Sequence, residues 1–349
     1  MTVGRHQKGK MKKRTTNKHR TMKNFTKYLQ SKDFTTSTQA RYTNSVYTFL
    51  NWYNLSREIG NLSREIGDLS REIGNAKKID IIKYLEYLKA TKNQNNHSRS
   101  TQLVAIKHYF EYLRQSEQIA ANPTNLIKIR GTKKKQLYNI YTAEELTQLL
   151  DDYHTIYIRN FDDKHIPNNR KQNSHLSRHR NYVILSLLIY QGLHTNEIQK
   201  IQLQDINLTK ATIKIHGSRQ TNEKNLPLKA EQIGVIMHYT QDIRPQFAEH
   251  YKEENEQLFL LNTTSKAHRE QSKNYNNLFI SLRQNIKEIN PNFQNFKQIR
   301  ASVITNWIKT AGLRKAQYYA GHRYISSTES YLPNNIEELK EDITKYNPF

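Results

Sequence analysis

From Phe25 to Trp52 apolar residues recur every three or four positions, the spacing of one helix face. Phe25, Tyr28 and Leu29 make one patch. Within Ser37 to Tyr53, the residues Tyr42, Val46, Phe49, Leu50 and Tyr53 make a second, so the stretch is predicted to be largely helical. Ile79 to Leu88 and Ser100 to Arg114 read as two more amphipathic helices. The latter has Leu103, Ile106, Tyr109, Phe110 and Leu113 as its apolar face, and a polar loop, Asn96 to Ser100 with His97 and Arg99, precedes it. Asn122-Pro123 closes this helical set.

The pattern then restarts. Thr142 is placed to cap a helix over Tyr141 to Leu146. Asp151 to Arg180 is polar and is expected to be loop-rich, whereas Tyr182 to Tyr190 reads as a buried helix ended by Gly192. Thr195 can cap the next helix, which carries Glu197 and Ile198, and free N–H groups at such a start would stabilise a phosphate. Thr212 to His216 alternates like a strand. Leu226 to Leu228 reads as its hairpin partner across a polar turn, Gly217 to Asn225, and Leu258 to Asn262 as a third strand. Asn274 to Ile289 is helical through Leu278, Leu282 and Ile286.

Lys297 to Thr310 follows as a helix, because Ile299, Val303, Ile304, Trp307 and Ile308 recur at helical spacing. Gly312 breaks it, and Leu313 to Ala320 forms a second helix stopped by Gly321. Ser326 and Glu329 have capping-box spacing, so a third helix is predicted there with Tyr331 on its first turns and Pro333 discouraging continuation. Asn334 to Lys345 reads as a last, charged helix.

One stretch repeats. Leu55 to Asn75 runs LSREIGN, LSREIGD, LSREIGN, with Ile59, Ile66 and Ile73 alternating with Leu62 and Leu69 as in a two-stranded coiled coil. Gly60, Gly67 and Gly74 each cost a helix about 1 kcal/mol relative to alanine. A helical spacer is favoured over a dimer zipper.

Charge narrows the partners. Lys and Arg number 55 against 31 Asp and Glu, a net charge of +24, which points to a polyanion, most commonly nucleic acid; ribosome association or nonspecific adhesion is the plainer alternative. Met1 to Arg20 carries eight Lys and Arg (Arg5, Lys8, Lys10, Lys12, Lys13, Arg14, Lys18, Arg20) and no acid. It reads equally as a disordered arm along phosphates or as a solubilising tail. There is no cysteine, which excludes disulfides and thiolate chemistry. The 14 histidines show no ligand-like spacing with acids, so no metal is expected. No apolar run approaches transmembrane length, and no apolar segment follows the basic N-terminus as in a secretory signal. A cytoplasmic, nucleoid-associated protein fits.

The chemistry concentrates near the C-terminus. Arg300, His322 and Tyr331, brought together, can transfer a phosphoryl group without a metal: the phenol oxygen attacks, the guanidinium grips two phosphate oxygens, and the imidazole donates to the charge that develops. With 22 tyrosines in the chain, Tyr331 is singled out only by its ordered neighbours.

The order Arg300, Gly321-His322, Tyr331 resembles the C-terminal signature of the tyrosine recombinases, or phage-type integrases, and Tyr190 to Ile198 resembles that family's first box. The resemblance covers about residues 22 to 335. It implies a mainly α fold with a small antiparallel β-sheet in the C-terminal domain. A SAM-like helical core-binding domain would span 22–126, with 55–75 as an insertion. A basic linker at 127–140, a catalytic domain at 141–335 and a tail at 336–349 that packs on a neighbouring protomer would follow the basic arm of 1–21. It implies site-specific DNA integration, excision or inversion through a 3′-phosphotyrosyl link on Tyr331. It also implies a freed 5′-hydroxyl protonated by a lysine, no cofactor, and a homotetramer on double-stranded DNA with paired inverted sites. Arg300 and His322 match the family's second arginine and third-box histidine, and Glu197 the acid of the first box.

The chain also departs from that pattern. His194 stands where the first box has arginine, and Lys297 where the second box has histidine, three residues before Arg300. An imidazole is shorter than a guanidinium and only partly charged near neutral pH. Counting back from Leu226-Pro227-Leu228 puts Arg219 in the lysine's slot, while Lys224 is the only lysine of the turn. Lys224 is preferred as the acid. Arg219 either supplies phosphate charge lost at His194 or contacts DNA as an ordinary surface residue. The alternative function is an impaired recombinase that acts as a DNA-binding protein. A type IB topoisomerase and an RNA-binding protein are further rivals.

Overall fold

The computed structural model describes residues 22–58, 73–132, 138–251, 255–261 and 275–332. The N-terminal arm, most of the heptad stretch, the middle of the linker, Pro333 and the final helix expected at Asn334 to Lys345 lie outside these residues. The described residues fall in two compact units, one before residue 136 and one after.

The first unit is all-helical: α1 over 22–31, α2 (Thr36–Glu58), α3 (Lys78–Ala90) and α4 (Asn96–Gln115). Its core is aromatic. Phe25, Phe49, Tyr53, Tyr84, Tyr109 and Phe110 are buried among Leu and Ile side chains, and Phe49 meets Tyr84 and Phe110 edge-on. Each such ring contributes about 1.5–3 kcal/mol by leaving water. The predicted loop Asn96 to Ser100 is instead the first turn of α4, because Asn95 caps it by accepting from the Ser98 N–H at 2.9 Å. Ile127, at the start of the expected linker, is buried in this core, and Ile73, at the end of the heptad stretch, is too.

The second unit opens with α5 (Ala143–His154), where Thr142 and Glu145 form a reciprocal cap. A π-helical turn, Thr155–Arg159, leads toward α6 (Asn168–Tyr190). The polar stretch to Arg180 is therefore not loop-rich. Its second half is the front of a 23-residue helix held by buried Leu176 and by Arg180, which donates to the Leu260 carbonyl at 2.7 Å. After α7 (Thr195–Ile198) come β1 (Ile206–Asn207), β2 (Thr212–Ile215) and β3 (Lys224–Pro227), an antiparallel sheet in that order with Ile213 opposite Leu226 and Ile215 opposite Lys224. Lys224 thus belongs to a strand, not to the turn.

The third strand is β1 rather than the predicted Leu258 to Asn262. Gln257 makes an isolated antiparallel bridge with Gln202, the Leu258 N–H donating to the Ile201 carbonyl, and beyond it the carbonyls of Leu258, Phe259 and Leu260 accept from Tyr239, Tyr275 and Arg180 side chains; residue 262 lies outside the described residues. Helices α8 (Ala230–His238), α9 (Arg244–Tyr251) and α10 (Asn276–Ile289) complete the wall.

Helix α11 (Phe296–Ala320) is two helical segments across Gly312, whose φ of 80° and ψ of 164° break the ladder as predicted. Its first segment is stitched to the strand of chain before α5: Gln298 donates to the Asn139 carbonyl, Ser302 accepts from the Tyr141 N–H, and Asn306 donates to the Tyr141 carbonyl. The short α12 (Ile325–Glu329) starts at Tyr324 without a side-chain cap, so the Ser326 and Glu329 spacing does not initiate it. Tyr331 lies in the turn beyond it, its N–H donating to the Thr328 carbonyl at 3.0 Å. Among the described residues no helix is long and apolar enough to cross a membrane.

Candidate active site

Two chain breaks create the acceptors around which the site forms. Ala320 is the last residue of α11, so its carbonyl has no partner within the helix, and Gly192 lies just past the end of α6. Both turns are left-handed, with φ of 55° at Gly192 and 70° at Gly321. Arg300, buried on α11, donates to the Gly192 carbonyl through Nη1 and to the Ala320 carbonyl through Nη2 at 2.9 Å.

Glu197 on α7 completes the inner ring. Its Oε2 accepts from the His194 N–H at 2.7 Å and lies 3.4 Å from Arg300 Nη1; its Oε1 lies 3.0 Å from Lys224 Nζ. Lys224, with its side chain fully buried, also donates to the Ala320 carbonyl at 3.1 Å. One carboxylate and one carbonyl therefore bridge the two cations.

The hairpin loop is tied to the same place. The Asn222 N–H donates to the Gly321 carbonyl at 2.9 Å, and Thr221 pairs with His322 in an isolated antiparallel bridge. A Cβ on Gly321 would stand 3.1 Å from Lys224 Cδ and 3.2 Å from the Asn222 carbonyl oxygen. Gly321→Ala is expected to destabilise the protein by more than about 1 kcal/mol from the left-handed backbone alone, and to push Lys224 aside. Chemical denaturation of the variant and the parent checks the loss.

His322 follows directly. Its Nδ1 lies 2.9 Å from Thr328 Oγ1, and its ring stacks on Tyr331 with centroids 5.7 Å apart and planes 13° apart. Burial, with Arg300 and Lys224 adding to it, pushes the His322 imidazole down to about 4, so it is neutral at physiological pH. Burial likewise lowers His194, with Arg300 the next cause. Burial lowers the Lys224 ammonium to about 8, against the opposing attraction of Glu197. Burial would raise Glu197, but Lys224 and Arg300 hold its carboxyl below the ordinary value.

His194, Glu197, Lys224, Arg300, His322 and Tyr331 are thus linked by contacts or by the charges they exert on one another. Lys297 is exposed on the first turn of α11 and acts on His194 through its charge. Arg219 is exposed in the hairpin loop, and its sequence neighbours Ser218 and Gln220 line a cleft of ≈ 220 Å³ shared with His194, Lys200, Lys214 and Arg300. His194, not Thr195, is the N-cap of α7: its Nδ1 accepts from the Asn196 N–H at 3.1 Å. With Nδ1 so used, the neutral ring carries its proton on Nε2 and offers one hydrogen bond without a charge. Thr328 escaped the sequence reading, because a threonine six residues after a histidine carries no signal until the turn at Gly321 and α12 are folded.

Residues 142–338, more than half of the chain, match the model of the phage integrase family. The chain belongs to that family. Among curated proteins, tyrosine recombinase XerD of Staphylococcus epidermidis is 24% identical over 262 residues, covering 73% of this chain and 78% of that protein. The TnP I resolvase of Bacillus thuringiensis is 24% identical over 323 residues, covering 91% of this chain and 96% of that one. A crystal structure of the XerH site-specific recombinase bound to palindromic difH substrate, in a post-cleavage complex, aligns with a TM-score of 0.61 at 16% identity, over 88% of this chain and 80% of that chain. At that identity the likeness is one of fold. In this chain burial lowers the basicity of His194 and its Nδ1 is taken by the Asn196 N–H, so the ring offers a single donor at Nε2.

Proposed function

We infer that this phage integrase family protein performs site-specific DNA recombination, with Tyr331 as the nucleophile. The observation that carries the reading is the stacking of Tyr331 on His322 beside the Arg300, Lys224 and Glu197 cluster. The Tyr331 oxygen attacks the scissile phosphorus and the bond to the 5′-oxygen breaks, leaving a 3′-phosphotyrosyl link. Tyr331 is partly exposed, so its proton can leave to water. Arg300 and His322 stabilise the charge on the phosphate oxygens, and His194 adds one neutral donor. Glu197 orients the cations. Lys297 and Arg219, both exposed, supply positive charge for the DNA backbone.

Lys224 is the proton donor to the leaving 5′-oxygen. An ammonium lowered to about 8 is charged at neutral pH yet gives up its proton more readily than Arg219 can. Lys224→Ala is expected to cut the cleavage rate by about 10²-fold or more. A substrate with sulfur at the bridging 5′-position should restore most of it, since a thiolate of pKa about 8.5 leaves without a proton. No restoration would remove Lys224 from that role.

The first helical unit would grip the duplex as a core-binding domain, and the second would carry the chemistry. Exchange between two duplexes requires four strand cuts and hence four copies, each with one Tyr331. The test is covalent trapping. The binding site is first recovered by selecting bound fragments from genomic DNA, then rebuilt as a duplex with a nick beside the crossover. An adduct stable to detergent in metal-free buffer is expected. Tight binding with no adduct would instead favour the non-cleaving DNA-binding protein, the reading that His194 supports.

A further inference from the structure

Thr328 occupies a position that the proposed reaction leaves unused. It is fully buried in the last turn of α12, and two of its groups face the site. Its Oγ1 lies 2.9 Å from His322 Nδ1, and its carbonyl accepts from the Tyr331 N–H at 3.0 Å. Among the described residues the hydroxyl has no other hydrogen-bond partner, and His322 Nε2 has none at all. We propose that Thr328 is a positioning residue that fixes His322 as the Nε2–H tautomer and holds this donor in register with Tyr331.

A buried hydroxyl whose proton finds no acceptor loses its hydration without compensation. The Thr328 proton must therefore go to His322 Nδ1. A ring nitrogen that accepts cannot carry a proton, so the neutral imidazole carries its own on Nε2. That nitrogen is the one left open for an outside acceptor. The opposite tautomer would present a lone pair to a phosphate oxygen and repel it. The same residue also restrains the nucleophile, because its carbonyl holds the backbone of Tyr331 while the Tyr331 ring lies on the imidazole. A threonine thus joins donor and nucleophile through a single turn of chain.

The inference rests on the reading of His322 as a donor to the scissile phosphate, but its test does not depend on cleavage alone. Full-length protein labelled with ¹⁵N in its histidines, without DNA, reports the tautomer through two-bond proton–nitrogen correlations. His322, assigned by its loss in His322→Gln, should show a lone-pair nitrogen at Nδ1 and a protonated nitrogen at Nε2. In Thr328→Val, which removes the hydroxyl at nearly constant volume, the Nδ1 resonance should shift and covalent cleavage of nicked DNA should fall about tenfold or more, with DNA affinity changed less than about twofold. Thr328→Ser keeps the hydroxyl and should restore cleavage to within about threefold of the parent. A proton on Nδ1 in the parent protein overturns the proposal whatever the variants do. Cleavage by Thr328→Val at the parental rate overturns it as well. Should the parent form no adduct with DNA it binds, the functional reading fails while the tautomer assignment stands or falls on its own spectrum.

Discussion

Tyr331→Phe is expected to bind DNA within about twofold of the parent and to form no covalent adduct, a loss of at least about 10⁴-fold in cleavage. The two readouts separate because of where the hydroxyl sits. Among the described residues it makes no hydrogen bond, so its removal disturbs no partner and should change stability by less than about 0.5 kcal/mol. The ring remains able to stack on His322, since that contact lies between ring planes and not at the oxygen. What disappears is the oxygen that the proposed reaction joins to phosphorus. Labelled nicked duplex followed by denaturing electrophoresis measures the adduct, and fluorescence anisotropy measures binding. A persistent adduct would point to another of the 22 tyrosines.

Arg300→Ala should show two losses at once. The guanidinium satisfies the carbonyls of Gly192 and Ala320 and pairs with Glu197, all in the interior. Its truncation takes the donor from the Gly192 carbonyl, leaves the Ala320 carbonyl to Lys224 alone, and removes one of two counter-charges from a buried carboxylate, a destabilisation of about 3–5 kcal/mol. Cleavage should fall by about 10²–10³-fold from lost phosphate stabilisation alone. Arg300→Lys separates the effects. It restores the charge beside Glu197 but not the planar fork, so stability should largely recover while cleavage stays at least about a hundredfold low. Denaturant midpoints and single-turnover cleavage at saturating protein give the two numbers. A lysine variant that cleaves at the parental rate would mean that the fork is not used on phosphate.

Arg300, His322 and Tyr331 were legible together because Arg300 sits on a plainly periodic helix and the other two follow glycine breaks that sequence marks. Gly312 and Gly321 cut the apolar period, and the structure puts the first at a φ of 80° and the second at 70°. Thr142 was equally readable, since its capping partner Glu145 is local. The misreadings share a cause: the partner that decided the local structure lay far along the chain. The front of α6 looked like loop because its polarity hides Arg180, whose acceptor is 80 residues away. Leu258 to Leu260 looked like a strand because alternation cannot reveal that distant Tyr and Arg side chains take its carbonyls. Lys224 looked like a turn residue until its pairing opposite Ile215 put it on β3 with its ammonium on Glu197. Even its burial depends on Gly321, 97 positions away, which lacks the Cβ that would strike it.

One bond between protein and DNA is decisive, and identifying the atom at its protein end is the most direct test. The trapped complex on nicked duplex would be digested with protease and nuclease and the nucleotide-bearing peptide sequenced by mass spectrometry. A 3′-linked phosphodiester on the Tyr331 oxygen, with a free 5′-hydroxyl on the departing strand, is the predicted result. Attachment at any other residue, or a 5′-linked phosphate with a free 3′-hydroxyl, would contradict the account.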